Sequence, residues 1–268
     1  MVIQLHQLTA ALYLVTALVA SLGLALPAPR LGRFSLFLLA TAVIAHGSCF
    51  AVMHVDGATP ALNELPVAVS FMAWIGTIFY LLLARKARLV SLVVLVAPMA
   101  FVSVFVAGLR LPDPAAAAAE VATAAGGSWE HAHVLLAGAG LALLGIAGVA
   151  GMFYLLEHRR LKSKQRIGPR FRLASLEALD RVNSIALGIG FPLLTLGVIT
   201  GVFWVQKAHG QLWTGSPHEV WSVIAWLIYA VVVALRFAHD QGARQAAASA
   251  VGGFVFLLFA VVGLEFFA

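Results

Sequence analysis

Eight stretches of this chain are each apolar over about the 20 residues that a helix needs to cross ~30 Å of hydrocarbon. They cover roughly 5–26, 33–55, 67–84, 89–110, 132–156, 182–205, 218–237 and 247–267. In lipid a backbone has no water to bond, so runs of this length must satisfy their own N–H and C=O groups as helices. Composition points the same way: 62% of the 268 residues are hydrophobic and 10% are charged, too apolar a balance for one soluble core. The expected fold is all-α, a polytopic integral membrane helix bundle of eight transmembrane helices, forming a single domain over 1–268. The first run lacks a basic leader and is followed by Pro27 and Arg30 rather than a small-residue cleavage site, so it reads as a span and not a cleaved signal.

The charges between the runs predict the orientation. Arg30, Arg33, Arg85, Lys86, Arg88, Arg159, Arg160, Lys162, Lys164, Arg166, Arg170, Arg172, Arg181, Arg236 and Arg244 all fall on one side of an eight-span chain. Of the 17 Lys and Arg residues, only Arg110 and Lys207 fall on the other. The positive-inside rule then puts both termini outside. The net charge of +6, which in a soluble protein would suggest nucleic acid, is here a topology signal, and nucleic acid is excluded as a partner. The single cysteine, Cys49, rules out an internal disulfide, a Cys-x-x-Cys pair and a Cys-x-x-Cys-His haem attachment site. Ahead of the sixth run, Leu173, Leu176, Leu179 and Val182 repeat every three residues. That pattern reads either as an amphipathic helix on the cytoplasmic surface or as an extension of the sixth span. Pro192 within this span removes one backbone donor, and a bend is expected there.

Chemistry concentrates between the sixth and seventh runs. Residues 197–229 hold four of the six tryptophans, with Lys207, His209, His218 and Glu219. One reading is an aromatic belt at the membrane–water boundary. The other is a binding surface. Nine histidines are many beside eleven acids, and an ionisable residue within a span marks a site by default. His46 lies within the second run, where a helix–helix hydrogen bond competes with ligation. His133 opens the fifth run, in Trp129-Glu-His131-Ala-His133. Neutral imidazole ligates haem iron and other transition metals. No His-Glu-x-x-His, no Gly-x-Ser-x-Gly and no carboxylate pair within a run is present, so a hydrolase has nothing to work with. A carrier or accessory protein is expected rather than an enzyme.

The tryptophan loop resembles the signature of the cytochrome c assembly family, which includes the CcsA, CcmC and CcmF proteins. That signature reads approximately Gly-x-x-Trp-Ala-x-x-Ala-Trp-Gly-x-Tyr-Trp-x-Trp-Asp-Pro-Lys-Glu-Thr-Trp-Ser. Gly201, Trp204, Ala208, Gly210, Trp213, Pro217, Glu219, Trp221 and Ser222 match it without a gap. Trp226, Tyr229 and Arg236 continue the match downstream. Leu179-Asp180-Arg181 and Gly190-Phe191-Pro192 carry it upstream, as does Gly57-Ala-Thr-Pro60 near the first outer loop. His209 and Gly215 replace tryptophans, Ser216 an aspartate and His218 a lysine.

The resemblance implies haem as cofactor, cradled by Trp204, Lys207, His209, Trp213, His218, Glu219 and Trp221, with His133 and His46 as candidate iron ligands. Two of the four ligand histidines of the haem-exporting members keep counterparts. Ala234 replaces a third, and the fourth has none; His209 or His218 is a candidate substitute. This degenerate pattern is similar to the HemX-like branch. Three functions follow as expectations: a haem-handling protein of cytochrome c biogenesis at the outer face; a membrane regulator of haem synthesis acting on glutamyl-tRNA reductase; and a non-haem structural subunit of an assembly complex. The implied partners are membrane lipid, other assembly proteins or apocytochrome, and, for the regulator, a cytosolic haem-synthesis enzyme. The implied location is a bacterial cytoplasmic (inner) membrane.

Overall fold

The computed structural model of the chain describes residues 2–26, 28–55, 65–87, 90–109, 128–163, 174–239 and 241–267. All the regular structure among them is helical: α1 (Val2–Ala25), α2 (Pro29–Val55), α3 (Leu65–Ala87), α4 (Val93–Leu109), α5 (Ser128–Lys162), α6 (Leu176–His209), α7 (Pro217–Phe237) and α8 (Ala243–Phe267), with one 3-10 turn, Val90–Leu92, leading into α4. Each of the eight expected runs is a helix. Seven are long and apolar enough to cross a membrane, and α4, at 17 residues, is the shorter eighth. The chain is thus a multi-pass membrane protein. The first two outer loops of the sequence reading and most of the basic stretch 159–172 lie outside the described residues.

The helices form two compact units, α1–α4 and α5–α8. In the first, α1 packs on α2 and α4, and α3 packs on α4. Its interior is knitted by polar side chains. His46 is fully buried; its Nδ1 lies 3.2 Å from the Tyr13 hydroxyl and its Nε2 3.0 Å from Ser70 Oγ. Trp74 donates from Nε1 to the Val43 carbonyl (2.9 Å), and its ring fills the space left by the missing side chain of Gly47. Phe50 stacks on His46 with ring centroids 5.3 Å apart.

In the second unit α5 and α7 each pack against both α6 and α8, so they stand across from one another. The α5–α6 seam is built from small residues. A Cβ on Gly140 would lie 2.5 Å from the Leu194 nitrogen, and one on Gly197 would lie 2.7 Å from the Ala137 Cα, so the two backbones touch. Asn183 of α6 donates to the Ala147 carbonyl of α5 (2.8 Å). On the other flank, Trp226 donates to Thr195 Oγ1 (3.0 Å) and ties α7 to α6.

The two readings of the segment before the sixth run resolve as extension. One continuous helix starts at Leu176, capped by Ser175, whose Oγ accepts from the Ala178 N–H at 3.2 Å. Leu179 and Val182 point into the core and are buried, which a helix lying on the surface would not require. The helix runs unbroken through Pro192.

Candidate functional site

At one end of the α5–α8 unit, the N-terminus of α5, the C-terminus of α6 and the N-terminus of α7 meet around the loop 210–216. The loop is held at both ends and in its middle. Gly210 closes α6 in a left-handed conformation (φ 70°), its N–H bonded to the Gln206 carbonyl at 2.9 Å. Ser216 caps α7, and Pro217 follows at the first helical position, where no donor is missed. The Glu219 carboxylate turns back and accepts from the Thr214 N–H (2.9 Å), the Thr214 hydroxyl (2.6 Å) and the Gly215 N–H (3.0 Å). Three charge-assisted or short bonds to one carboxylate make the loop a fixed turn. Gly215, next to the cap, takes a positive φ of 76°, a conformation that favours a residue without Cβ.

His133 is seated on this end of α6. Its Nδ1 lies 2.7 Å from the Gly197 carbonyl, 64 residues along the chain. A carbonyl only accepts, so Nδ1 carries a proton, and in the neutral ring Nε2 is the nitrogen that keeps its lone pair. The ring lies against the bare Cα of Gly201; a Cβ there would be 2.8 Å from Nδ1. Trp204 lies near-parallel to it, centroids 5.9 Å apart and planes 23° from parallel. Thr200 Oγ1 also donates to the Gly197 carbonyl (2.9 Å) and fixes that acceptor further. His218, in the first turn of α7, is exposed.

The other predicted site residues divide. Trp221 is drawn to α8, between Phe256 and Phe259, with both centroids at 5.9 Å. Trp213 is exposed on the loop, and Lys207 and His209 are exposed on the last turn of α6. Glu219 is engaged by the loop rather than open to a ligand. His46 belongs to the other unit. The side chain of His131 is outside the described set. The structure thus gathers His133 and Trp204, with His218 in the first turn of α7 after the same loop. It adds three groups that the sequence reading passed over as ligand supports: the Gly197 carbonyl, the open face of Gly201 and Thr200. Gly197 and Gly201, four residues apart on one helix face, were the available signal. Among the described residues no three of His, Cys, Asp and Glu converge as a metal cluster.

These features define a polytopic helical membrane protein with a histidine–tryptophan cluster at one end of a four-helix unit. The chain belongs to the cytochrome c assembly protein family, whose model matches residues 62–268. It is 28% identical over 229 residues to a cytochrome c biogenesis protein CcsA of Prochlorococcus marinus (strain MIT 9303), covering 76% of this chain and 72% of that one. It is 27% identical over 207 residues to CcsA of Chlamydomonas reinhardtii, covering 76% of this chain and 58% of that one. A shorter stretch of 105 residues, 39% of this chain and 30% of the relative, is 35% identical to CcsA of a Nostoc species.

Proposed function

We propose that this protein handles haem in cytochrome c biogenesis, holding it at the outer face of a bacterial cytoplasmic membrane with His133 as an axial ligand. One observation carries the reading. The His133 ring is fixed by the Gly197 carbonyl at Nδ1 and backed by Trp204, and this leaves Nε2 as a directed donor. An imidazole whose other nitrogen is bonded to a carbonyl is oriented, locked in one tautomer and made more basic, as metal-bound histidines are. The open face of Gly201 supplies the room in which that ring sits.

Haem is the cargo here, and a partner assembly protein joins it to apocytochrome thiols. The chain's own residues hold and present it. Trp204 and the half-exposed Trp213 offer flat apolar faces to the macrocycle. Lys207, exposed on the last turn of α6, would meet a propionate. Trp221 and Glu219 act indirectly: one fastens α7 to α8, the other fixes the loop. His46 does not fit an iron in this arrangement. Both of its nitrogens are hydrogen-bonded, its ring is packed by Phe50 and Tyr13, and no solvent reaches it. We assign it a packing role.

The test is a haem spectrum of the purified protein. A Soret band is expected. His133→Ala should abolish it, and added imidazole should restore it by filling the vacated space. His131→Ala should leave it, because two residues turn a helical side chain by about 200°. A native protein that takes up no haem, or a His133→Ala variant that keeps it, would sink the reading.

A further inference from the structure

The end of the α5–α8 unit opposite His133 is basic, and its arginines are used in two ways. The bond from Asn183 to the Ala147 carbonyl, the close approach of Gly151 to Ala247 and the Arg236–Asp180 pair bring the C-termini of α5 and α7 to the N-termini of α6 and α8. Arg236 is taken by Asp180, and Arg160 lies 3.7 Å from Glu157. Arg159, Arg181 and Arg244 differ from these. They are exposed, and among the described residues they form no ion pair or hydrogen bond. Each also heads an exposed apolar stripe. On α6, Arg181 is followed at steps of four and seven by Ile185, Ile189, Leu196 and Phe203, all exposed. On α8, Arg244 is followed at steps of four and three by the exposed Ala248, Gly252, Val255 and Phe259. On α5, the exposed Met152 and Leu156 lead up to Arg159 at steps of four and three. Such steps keep to one helix face. Arg33 heads the exposed Phe37 and Ile44 of α2 in the same manner.

We propose that this end of the α5–α8 unit binds anionic phospholipids, with the lipid phosphate on Arg159, Arg181 or Arg244 and the acyl chains along the stripe below. In a membrane protein an exposed apolar stripe is covered by acyl chains, so the group at its head meets a headgroup. The depth fits: Arg181 and Phe203 are about 33 Å apart at 1.5 Å per residue, just over the ~30 Å of a hydrocarbon core. The chemistry fits as well. A guanidinium offers a planar fork of donors that matches phosphate, and its stem lies along apolar surface. A zwitterionic lipid brings its own ammonium to the phosphate, whereas an anionic lipid leaves a net charge for the arginine to meet. Arg160 and Arg236 are already matched by carboxylates and stay out of the set. The proposal does not rest on the haem reading.

The experiment reconstitutes the full-length protein in phosphatidylcholine vesicles with a trace of spin-labelled phosphatidylglycerol or spin-labelled phosphatidylcholine. The motionally restricted fraction of each probe, read by electron paramagnetic resonance, gives their relative association with the protein. The native protein should select phosphatidylglycerol by several-fold. A variant carrying Arg159→Gln, Arg181→Gln and Arg244→Gln should lower that ratio by about threefold or more, since one basic residue near a membrane surface is worth about a fivefold preference. Arg160→Gln removes a charge at the same end of the unit and should leave the ratio as it is. Glycerol phosphate, a headgroup without chains, should lower the ratio no more than chloride does at equal ionic strength. Equal association of the two probes with the native protein would overturn the proposal, and that arm needs no variant to fold. So would a triple variant that keeps the native ratio. An Arg160→Gln variant that loses as much per charge would overturn it too, because selectivity would then follow net charge and not the stripes. Competition by glycerol phosphate beyond the chloride control would assign the arginines to free phosphate instead of lipid.

Discussion

The position of the His133 ring depends on an atom that is missing. Alanine at 201 would bring a Cβ to 2.8 Å from Nδ1, inside any contact a ring tolerates, and the ring would have to leave the Gly197 carbonyl. In a helix interior, alanine is favoured over glycine by about 1 kcal/mol. That gain offsets the lost His133–Gly197 bond, so Gly201→Ala should leave the melting temperature little changed while weakening haem binding on the order of tenfold; a haem titration beside a thermal melt reads both. His46 should behave in the opposite way. His46→Ala strips partners from Tyr13 and Ser70 and leaves a hole beside Phe50. Hydrogen bonds between membrane helices are worth roughly 0.6–2 kcal/mol, so a loss of about 2 kcal/mol is expected once the cavity is included, with the haem content per folded molecule unchanged. Loss of haem with full stability would reverse the assignment. The sequence marked both histidines, because an ionisable residue at a span is conspicuous by rarity. It favoured His133 at the outer end of its run and weighed a helix–helix hydrogen bond for His46, but it could not name the partners: those of His46 are 33 and 24 residues away and that of His133 is 64 away, and only the packed helices bring them together.

Helix ends were the least legible part of the elements, and for a definite reason. Hydropathy stops where charge begins, but helicity does not. The fifth run reads as ending near 156, yet α5 continues through Glu157, Arg159, Arg160 and Lys162, all good helix formers, with Glu157 and Arg160 paired at 3.7 Å. Likewise α6 starts at the Ser175 cap, ahead of the apolar stretch. That early start matters, because it carries Asp180, one turn ahead of Ser184, to Arg236 of α7. The guanidinium lies 2.9 and 3.0 Å from the two Asp180 oxygens, is bonded to Ser184 Oγ and donates to the Gln241 carbonyl at 3.2 Å. Sequence matching singled out Asp180 and Arg236 without revealing that they pair. Arg236→Ala leaves a partly buried carboxylate without its cation and should cost about 2–3 kcal/mol, measurable as a lower midpoint of thermal unfolding in detergent. At the other end of α7, Glu219→Ala frees the amides of residues 214 and 215. Faster hydrogen exchange confined to residues 210–216, with the helices unchanged, is the expected signature; unchanged exchange would mean that the carboxylate does not hold the turn.

For the molecule as a whole, the orientation turns on α4. If it fails to cross, the basic residues Arg30, Arg33, Arg85, Lys86 and Arg88 end up on the opposite side of the membrane from the cluster at 159–172. If it crosses, all of them share one side with Arg236 and Arg244, as the positive-inside rule requires. Length permits the crossing. The 17 residues of α4 rise about 26 Å at 1.5 Å each. The 3-10 turn Val90–Leu92 adds about 6 Å at 2.0 Å each. The sum is close to the ~30 Å of a hydrocarbon core. Pro98 lies inside α4 and leaves the Val94 carbonyl without its i→i−4 donor, yet the helix continues through it to Leu109. Eight crossings would then put both termini and the 210–216 loop on the outer side, and with them His133, the face on which the proposed haem site would meet its partner. Compartment reporters at the N-terminus, at Gly168 and at Gly210 separate the alternatives. The first and third should report the outer compartment and the second the cytoplasm. An N-terminal reporter opposite to the one at Gly210 would mean that α4 lies within or along the bilayer, and would leave one set of basic loops outside. Cytoplasmic signals from both the N-terminus and Gly210 would invert the orientation and put the histidine–tryptophan cluster on the face where haem is made rather than where it is attached.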